Sequence, residues 1–287
     1  MRETFYHLSV AGITHKRKLA VIADIHDQPY DEVLNSVKQQ QPDLVLIPGD
    51  FIHGSIPHSD DVLKMALSPS LQMIEALSSI FPVYVSLGNH EWMLCPEDIE
   101  LIRQTKACVL DNDWVHDGEL VLGGLTSGTV CRYRRNRIEG VRYSEPLPYR
   151  SVSFLRQFRS SSFEQEPDQI PEYAWLNQFV MEKGCHILLS HHPEYWSLSP
   201  VSLQSYPIEL TLSGHAHGGQ IRYYSPVARQ WKGLFAPFQG LFPKYTGGIH
   251  RSQCGTMIIS RGLSNTARPI PRLFNPTEIV YITLDAG

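Results

Sequence analysis

Short apolar runs bounded by Gly, Pro or Asp punctuate this chain. Such runs read as buried strands. In the first half they are Leu19–Ala23, Leu44–Ile47 and Val83–Leu87. Helical spacing separates them: Asp31–Gln40 with Val33, Leu34 and Val37 on one side, Val62–Ile80 interrupted at Ser68-Pro69, and Glu97–Thr105. Alternation of strand and helix predicts an α/β sheet with parallel pairs. The second half predicts strands at Leu120–Leu125, Ile187–Leu189, Glu209–Leu212, Gln220–Tyr224, Thr256–Ser260 and Glu278–Leu284, with one helix at Glu172–Glu182. So many strands with so few helices imply a second sheet packed on the first. Two excursions stand out, an Arg-rich stretch over about 130–170 and an aromatic, Gly/Pro-rich one over about 225–252. Long loops on a rigid scaffold usually form lids or substrate walls.

Composition narrows the class. With 42% hydrophobic and 19% charged residues, the 287-residue chain matches a globular protein able to bury a sizeable core. No apolar run reaches the 18 or so residues of a membrane span, and the first residues lack a signal-peptide core, so a cytoplasmic location is expected. Cys95, Cys108, Cys131, Cys185 and Cys254 are odd in number and form no C-x-x-C pair; they read as reduced thiols. A net charge of −4 argues against general nucleic-acid binding. Locally the balance reverses: arginines 132, 134, 135, 137, 142, 150, 156 and 159 form a cluster that could face solvent or grip an anionic group.

Chemistry concentrates at the ends of the apolar runs. Asp24 and His26, Asp50, Asn89, His191, and His215 with His217 each follow one. In open α/β sheets ligands sit beyond the carboxyl ends of the strands, so five strand ends can aim seven side chains at one point. Mixed carboxylate, imidazole and amide donors suit Mn, Fe, Zn or Ni. Seven ligands exceed what one four-coordinate zinc uses, whereas two ions sharing a carboxylate fit. Two ions about 3.5–4 Å apart stabilise in-line displacement at phosphorus.

Asp24-Ile-His26, Gly49-Asp50, Gly88-Asn89-His90-Glu91, Ser190-His191 and Gly214-His215-Ala-His217 resemble, in order and spacing, the five-block signature of calcineurin-like metallophosphoesterases. Ser260-Arg-Gly-Leu-Ser-Asn265, Arg272-Leu-Phe-Asn-Pro276, Gly218-Gly219-Gln220 and Phe242-Pro-Lys-Tyr245 are similar to a bacterial branch that includes phosphodiesterases acting on lipid-like substrates. The resemblance implies one domain over residues 1–287, a metallophosphoesterase-type sandwich of two mixed β-sheets flanked by helices. It implies a dinuclear phosphohydrolase, a phosphodiesterase before a monoesterase, active with manganese, on which a metal-bridging hydroxide attacks a phosphate ester. Asp24, His26 and His217 would hold one ion, Asn89, His191 and His215 the other, and Asp50 both. His90 would act at the leaving oxygen and Glu91 would orient a ligand. Arg261 and Asn265 would touch substrate. Asp27 and His192, neighbours of expected ligands, are open as further members of the site, and His53 stands where relatives often carry Asp. A nuclease or cyclic-nucleotide phosphodiesterase on the same site, and a non-catalytic scaffold of the same fold, are the alternatives.

Overall fold

The computed structural model describes residues 1–53, 68–136, 170–264 and 270–287. In chain order the strands are β1 (Arg2–Val10), β2 (Arg17–Val21), β3 (Leu44–Ile47), β4 (Val83–Ser86), β5 (Cys108–Leu110), β6 (Asp113–Asp117), β7 (Leu120–Leu125), β8 (Cys185–Ser190) and β9 (Leu210–Ser213). Two small hairpins follow, β10 (Arg222–Ser225) with β11 (Gln230–Gly233) and β12 (Phe235–Ala236) with β13 (Gly240–Leu241). The last three are β14 (Gly248–Arg251), β15 (Thr256–Ile259) and β16 (Glu278–Ala286). The helices are α1 (Asp31–Gln40), α2 (Pro69–Ser78), α3 (Pro96–Gln104), α4 (Gly128–Asn136) and the short α5 (Leu176–Phe179).

Two six-stranded sheets form, ordered β1-β16-β2-β3-β4-β5 and β14-β15-β9-β8-β7-β6. Both are mixed. In the first, β2, β3, β4 and β5 run parallel while β16 is antiparallel to β2. In the second, β7, β8, β9 and β15 run parallel, with antiparallel β6 and β14 at the edges. The alternation of side chains along each strand explains the layering. Leu19, Val21, Leu44 and Leu46 face Leu122, Ile187, Leu189 and Leu212 between the sheets. Ala20, Ile22, Val45 and Ile47 face outward onto Val33 and Val37 of α1 and Met73, Ile74 and Leu77 of α2. On the far side, Val121, Leu188 and Met257 pack under Phe179, Tyr195 and Trp196. Strands buried on both faces need continuous apolar sequence, which is why the runs were legible.

Some expectations change. The helix expected over Glu172–Glu182 reduces to Leu176–Phe179. Around it Asn177, Gln178, Met181 and Glu182 donate to carbonyls only three residues back, a tighter winding. The Trp114–Trp175 stack, with centroids 5.9 Å apart, packs this turn against β6. From 225–252, Gly248–Arg251 belongs to the second sheet as an edge strand. The helix expected from Val62 is described only as Pro69–Ser78, capped by Ser68. Of the Arg-rich stretch, residues 137–169 lie outside the described residues. Among the described residues no helix is long and apolar enough to cross a membrane.

Glu278, the first residue of β16, ties several elements. It accepts from the Thr4 hydroxyl on β1, and from the backbone N–H, Nε and Nη2 of buried Arg261 at 3.0, 3.0 and 2.9 Å. Replacing Glu278 with Ala strands a buried guanidinium and is expected to cost about 3–5 kcal/mol of stability, read from urea unfolding.

Candidate metal centre

Parallel β2, β3 and β4 end on one edge of the sandwich, and so do β8, β9 and β15. The loops leaving them are stitched together by backbone bonds. Ile25 and His26 N–H groups donate to the Asp50 carbonyl at 2.8 and 3.2 Å, and the Gly214 N–H donates to the His191 carbonyl at 3.0 Å. At this edge the two sheets are also bonded to each other: the His215 N–H donates to Asp24 Oδ1 at 2.9 Å.

At this edge the backbone turns sharply. Asp24, His26, Asp50, His215 and His217, five of the seven expected ligands, have φ between 44 and 65°. Such left-handed conformations cost non-glycine residues about 1–3 kcal/mol each and persist only where the surroundings impose them. Glycines make the crowding possible. A Cβ on Gly88 would lie 2.3 Å from Asp50 Oδ1, and one on Gly262 2.4 Å from Asp24 Oδ2.

Two triads result. Ligand atoms of Asp24, His26 and His217 lie within 4.8 Å of one another, as do those of Asp50, His191 and His215. All six residues are buried. The Asp50 Oδ2 atom lies 3.0 Å from His191 Nε2 and 3.7 Å from His26 Nε2, reaching both triads. Asn89 opens the 3-10 turn Asn89–Met93. Its Oδ1, with Asp24 Oδ2, both ring nitrogens of His26 and His215 Nε2, is buried without a hydrogen-bond partner. Buried polar atoms are otherwise nearly always satisfied, so this donor set of oxygens and imidazole nitrogens fits divalent ions. Burial holds His26 and His215 well below the usual histidine pKa, which leaves neutral imidazoles suited to ligation. Burial opposes protonation of His191 as well, but the Asp50 carboxylate overrides it and lifts His191 to about 9.

His90 and Glu91 follow from the same turn. The His90 N–H donates to Asp50 Oδ1 at 2.8 Å. Its ring meets His26 edge-on at 4.4 Å, and its side chain is 25% exposed, with Nε2 3.9 Å from Asp50 Oδ2. Glu91 is fully buried and accepts from three backbone N–H groups, those of Gly88 (2.7 Å), Asp50 (2.8 Å) and Ile52 (3.1 Å). It therefore clamps the loop after β3 to the loop after β4. Burial and the nearby Asp50 carboxylate push its carboxyl up to about 8.

Arg261 stands apart from the expectation that it touches substrate. Its Nε and Nη2 both serve Glu278. Asn265 lies outside the described residues. Asp27 is a frame residue here: it accepts from the His53 N–H at 2.8 Å and from the Ser68 hydroxyl at the start of α2. His192 is buried, 2.8 Å from the Ser127 hydroxyl through Nε2, its ring 4.3 Å from that of His215. Two further contributors lie outside the seven expected ligands. His53 completes a group with His26 and His90 whose ring nitrogens lie within 4.8 Å of one another. Asn275 donates Nδ2 to the carbonyls of His217 (2.7 Å) and Gln220 (3.0 Å), fixing the last ligand loop from the far end of the chain.

Residues 17–219 match the family model described as calcineurin-like phosphoesterase. The chain belongs to that family. It is accordingly a phosphoesterase, a hydrolase of phosphoric esters, and the family uses divalent metals. It is 31% identical over 280 residues to the uncharacterized metallophosphoesterase YkuE of Bacillus subtilis, covering 93% of this chain and 78% of that one. An uncharacterized metallophosphoesterase of Helicobacter pylori is 26% identical over 276 residues, but this chain spans only 59% of its length. A solved dimetal phosphatase from Danio rerio overlays with a TM-score of 0.44 at 14% identity, over 86% of this chain and 87% of that one.

Within this phosphoesterase, Glu91→Gln leaves an amide where a carboxylate accepts three N–H groups. Groups that orient metal ligands typically govern affinity by 10–100-fold, so a loss of about that size is expected in affinity for divalent ions, read by chelator competition.

Proposed function

We propose that this phosphoesterase is a dinuclear metal-dependent phosphodiesterase. The observation that carries the reading is the pair of buried triads with Asp50 reaching both. Asp24, His26 and His217 would hold one ion, Asn89, His191 and His215 the other, and Asp50 would be shared. When bound, two such ions supply Lewis acidity and lower the pKa of water at the site. Manganese, iron, zinc and nickel all suit the donors, and manganese is the ion of choice for assay.

The protein's own groups then divide the work. Asp50 is fixed twice, by Glu91 at its N–H and by the His90 N–H at its Oδ1, so its remaining oxygen keeps a defined direction. His90 is the one histidine of the turn whose side chain is partly open to solvent while its backbone is pinned. Its Nε2 would donate a proton to the departing oxygen of an ester. Neutral His26 and His215 need not lose a proton before ligating.

A diester fits the surroundings better than a monoester. A dianionic terminal phosphate calls for extra cations, yet among the described residues three arginines near the last ligand loop are engaged internally. Arg222 donates to the carbonyls of Gly218 and Trp231, Arg261 to Glu278, and Arg272 to the carbonyls of Ser264 and Asn275. A nuclease would track several phosphates with free cations. Of the cluster around the expected lid, Arg134 pairs with both oxygens of Asp111.

Manganese-loaded protein should hydrolyse an aryl phosphodiester faster than the matching monoester, and chelation should abolish turnover. The His90→Ala protein should retain its metal while losing about 10²–10⁴-fold in kcat, as removal of a general acid does. Undiminished turnover in Asp50→Ala would remove the basis of the proposal.

A further inference from the structure

Seven of the large apolar side chains that stand exposed fall between residues 224 and 274: Tyr224, Val227, Trp231, Leu241, Phe242, Leu273 and Phe274. Their core is the β10–β11 hairpin. Val227 at its tip is 95% exposed, Phe274 beside it 76% and Phe242 67%. On one face Tyr224 meets Trp231 across the strands at 6.0 Å, and Trp231 meets Phe274 at 6.4 Å. On the other face Tyr223 meets Phe242 at 6.4 Å. A two-stranded hairpin is marginal alone, and clustered exposed apolar groups mark an interaction site.

Charge along the segment that carries the hairpin is one-sided, although Arg261 is paired with Glu278 just beyond it. From Leu210 to Thr277 there are eight Lys and Arg and no Asp or Glu, although the whole chain carries 29 acidic residues and a net charge of −4. Arg229 and Lys244 are exposed and Lys232 half-buried within it. We propose that this hairpin, with Phe242 and Phe274, docks the protein on the surface of an anionic phospholipid bilayer. A bilayer surrounds an inserted tip and so covers both of its apolar faces, whereas a protein partner would cover one. Trp and Tyr favour the headgroup boundary, and clustered Lys/Arg favour anionic lipid.

The surface is also joined to the metal centre. The Leu234 N–H donates to the Gly219 carbonyl at 3.1 Å, and Arg222 Nη1 to the Gly218 carbonyl at 3.2 Å, directly after His217. Docking there holds the ligand loops beside the headgroup layer. The surface itself does not depend on the proposed chemistry.

The test is flotation of the full chain with vesicles of phosphatidylcholine, alone and mixed with phosphatidylglycerol. Binding is expected only to the mixed vesicles and should weaken with salt. Lipids brominated in the acyl chain should quench Trp231, a signal absent in Trp231→Phe. Each basic side chain near an anionic surface strengthens partition about fivefold, so a triple Arg229→Gln, Lys232→Gln, Lys244→Gln variant should bind roughly a hundredfold more weakly. Its aryl phosphodiester turnover should match the wild type. Phe242→Ser with Phe274→Ser should also lose binding. The proposal is overturned if the wild-type chain ignores mixed vesicles, if both variants float as it does, or if sedimentation shows the patch buried in a dimer that these substitutions dissolve.

Discussion

The hydrogen bond from the His215 N–H to Asp24 Oδ1 joins, at the ligand edge, two sheets that meet chiefly through hydrocarbon. Apolar contact between the layers is strong but without direction, and it would tolerate small slides. A buried charge-assisted bond at the strand ends is directional and does not. It fixes the loop after β9 against the loop after β2. Asp24, His191, His215 and His217 come from different sheets, so a slide of even 1 Å would pull the triads apart.

The same edge concentrates conformational cost. Five left-handed residues, at about 1–3 kcal/mol each, are held in place by close-packed glycines and by buried acceptors. Glu91 illustrates how. Its carboxylate gathers N–H groups from two loops that have no ladder partner of their own, so backbone donors that strand ends leave unpaired become the fastening. Asn275 does the equivalent for the loop after β9 with its amide.

The sequence made much of this legible, for a physical reason. Runs such as Leu44–Ile47 and Leu120–Leu125 are buried on both faces, and their shortness and flanking Gly, Pro or Asp read as strand rather than buried helix. Polar residues following such runs must lie at a sheet edge, which is why Asp24, Asp50 and His215 could be grouped before any coordinates. The alternating, half-exposed strand β1 gave no such run and was missed, although it pairs with β16 along nine residues. Glu172–Glu182 had helical composition, but the stacking of Trp175 on Trp114 set its shape instead. The resemblance implied a substrate contact for Arg261. Only the position of Glu278, distant in sequence, shows its other partner. Family resemblance placed the signature blocks, yet roles such as that of Asn275 needed the third dimension.

Asp50 accounts for an asymmetry in how this site can change over evolution. Its two oxygens and its N–H are each committed to a different neighbour: His90, His191 and Glu91. A residue with three obligations cannot drift gradually, because relieving one breaks the other two. Among the described residues His53 is tied to the fold by the bond from its N–H to Asp27, and its ring is turned toward the histidines. Variation among descendants of this chain should therefore accumulate at His53 and spare Asp50, making the rim of the site the place where new specificities arise.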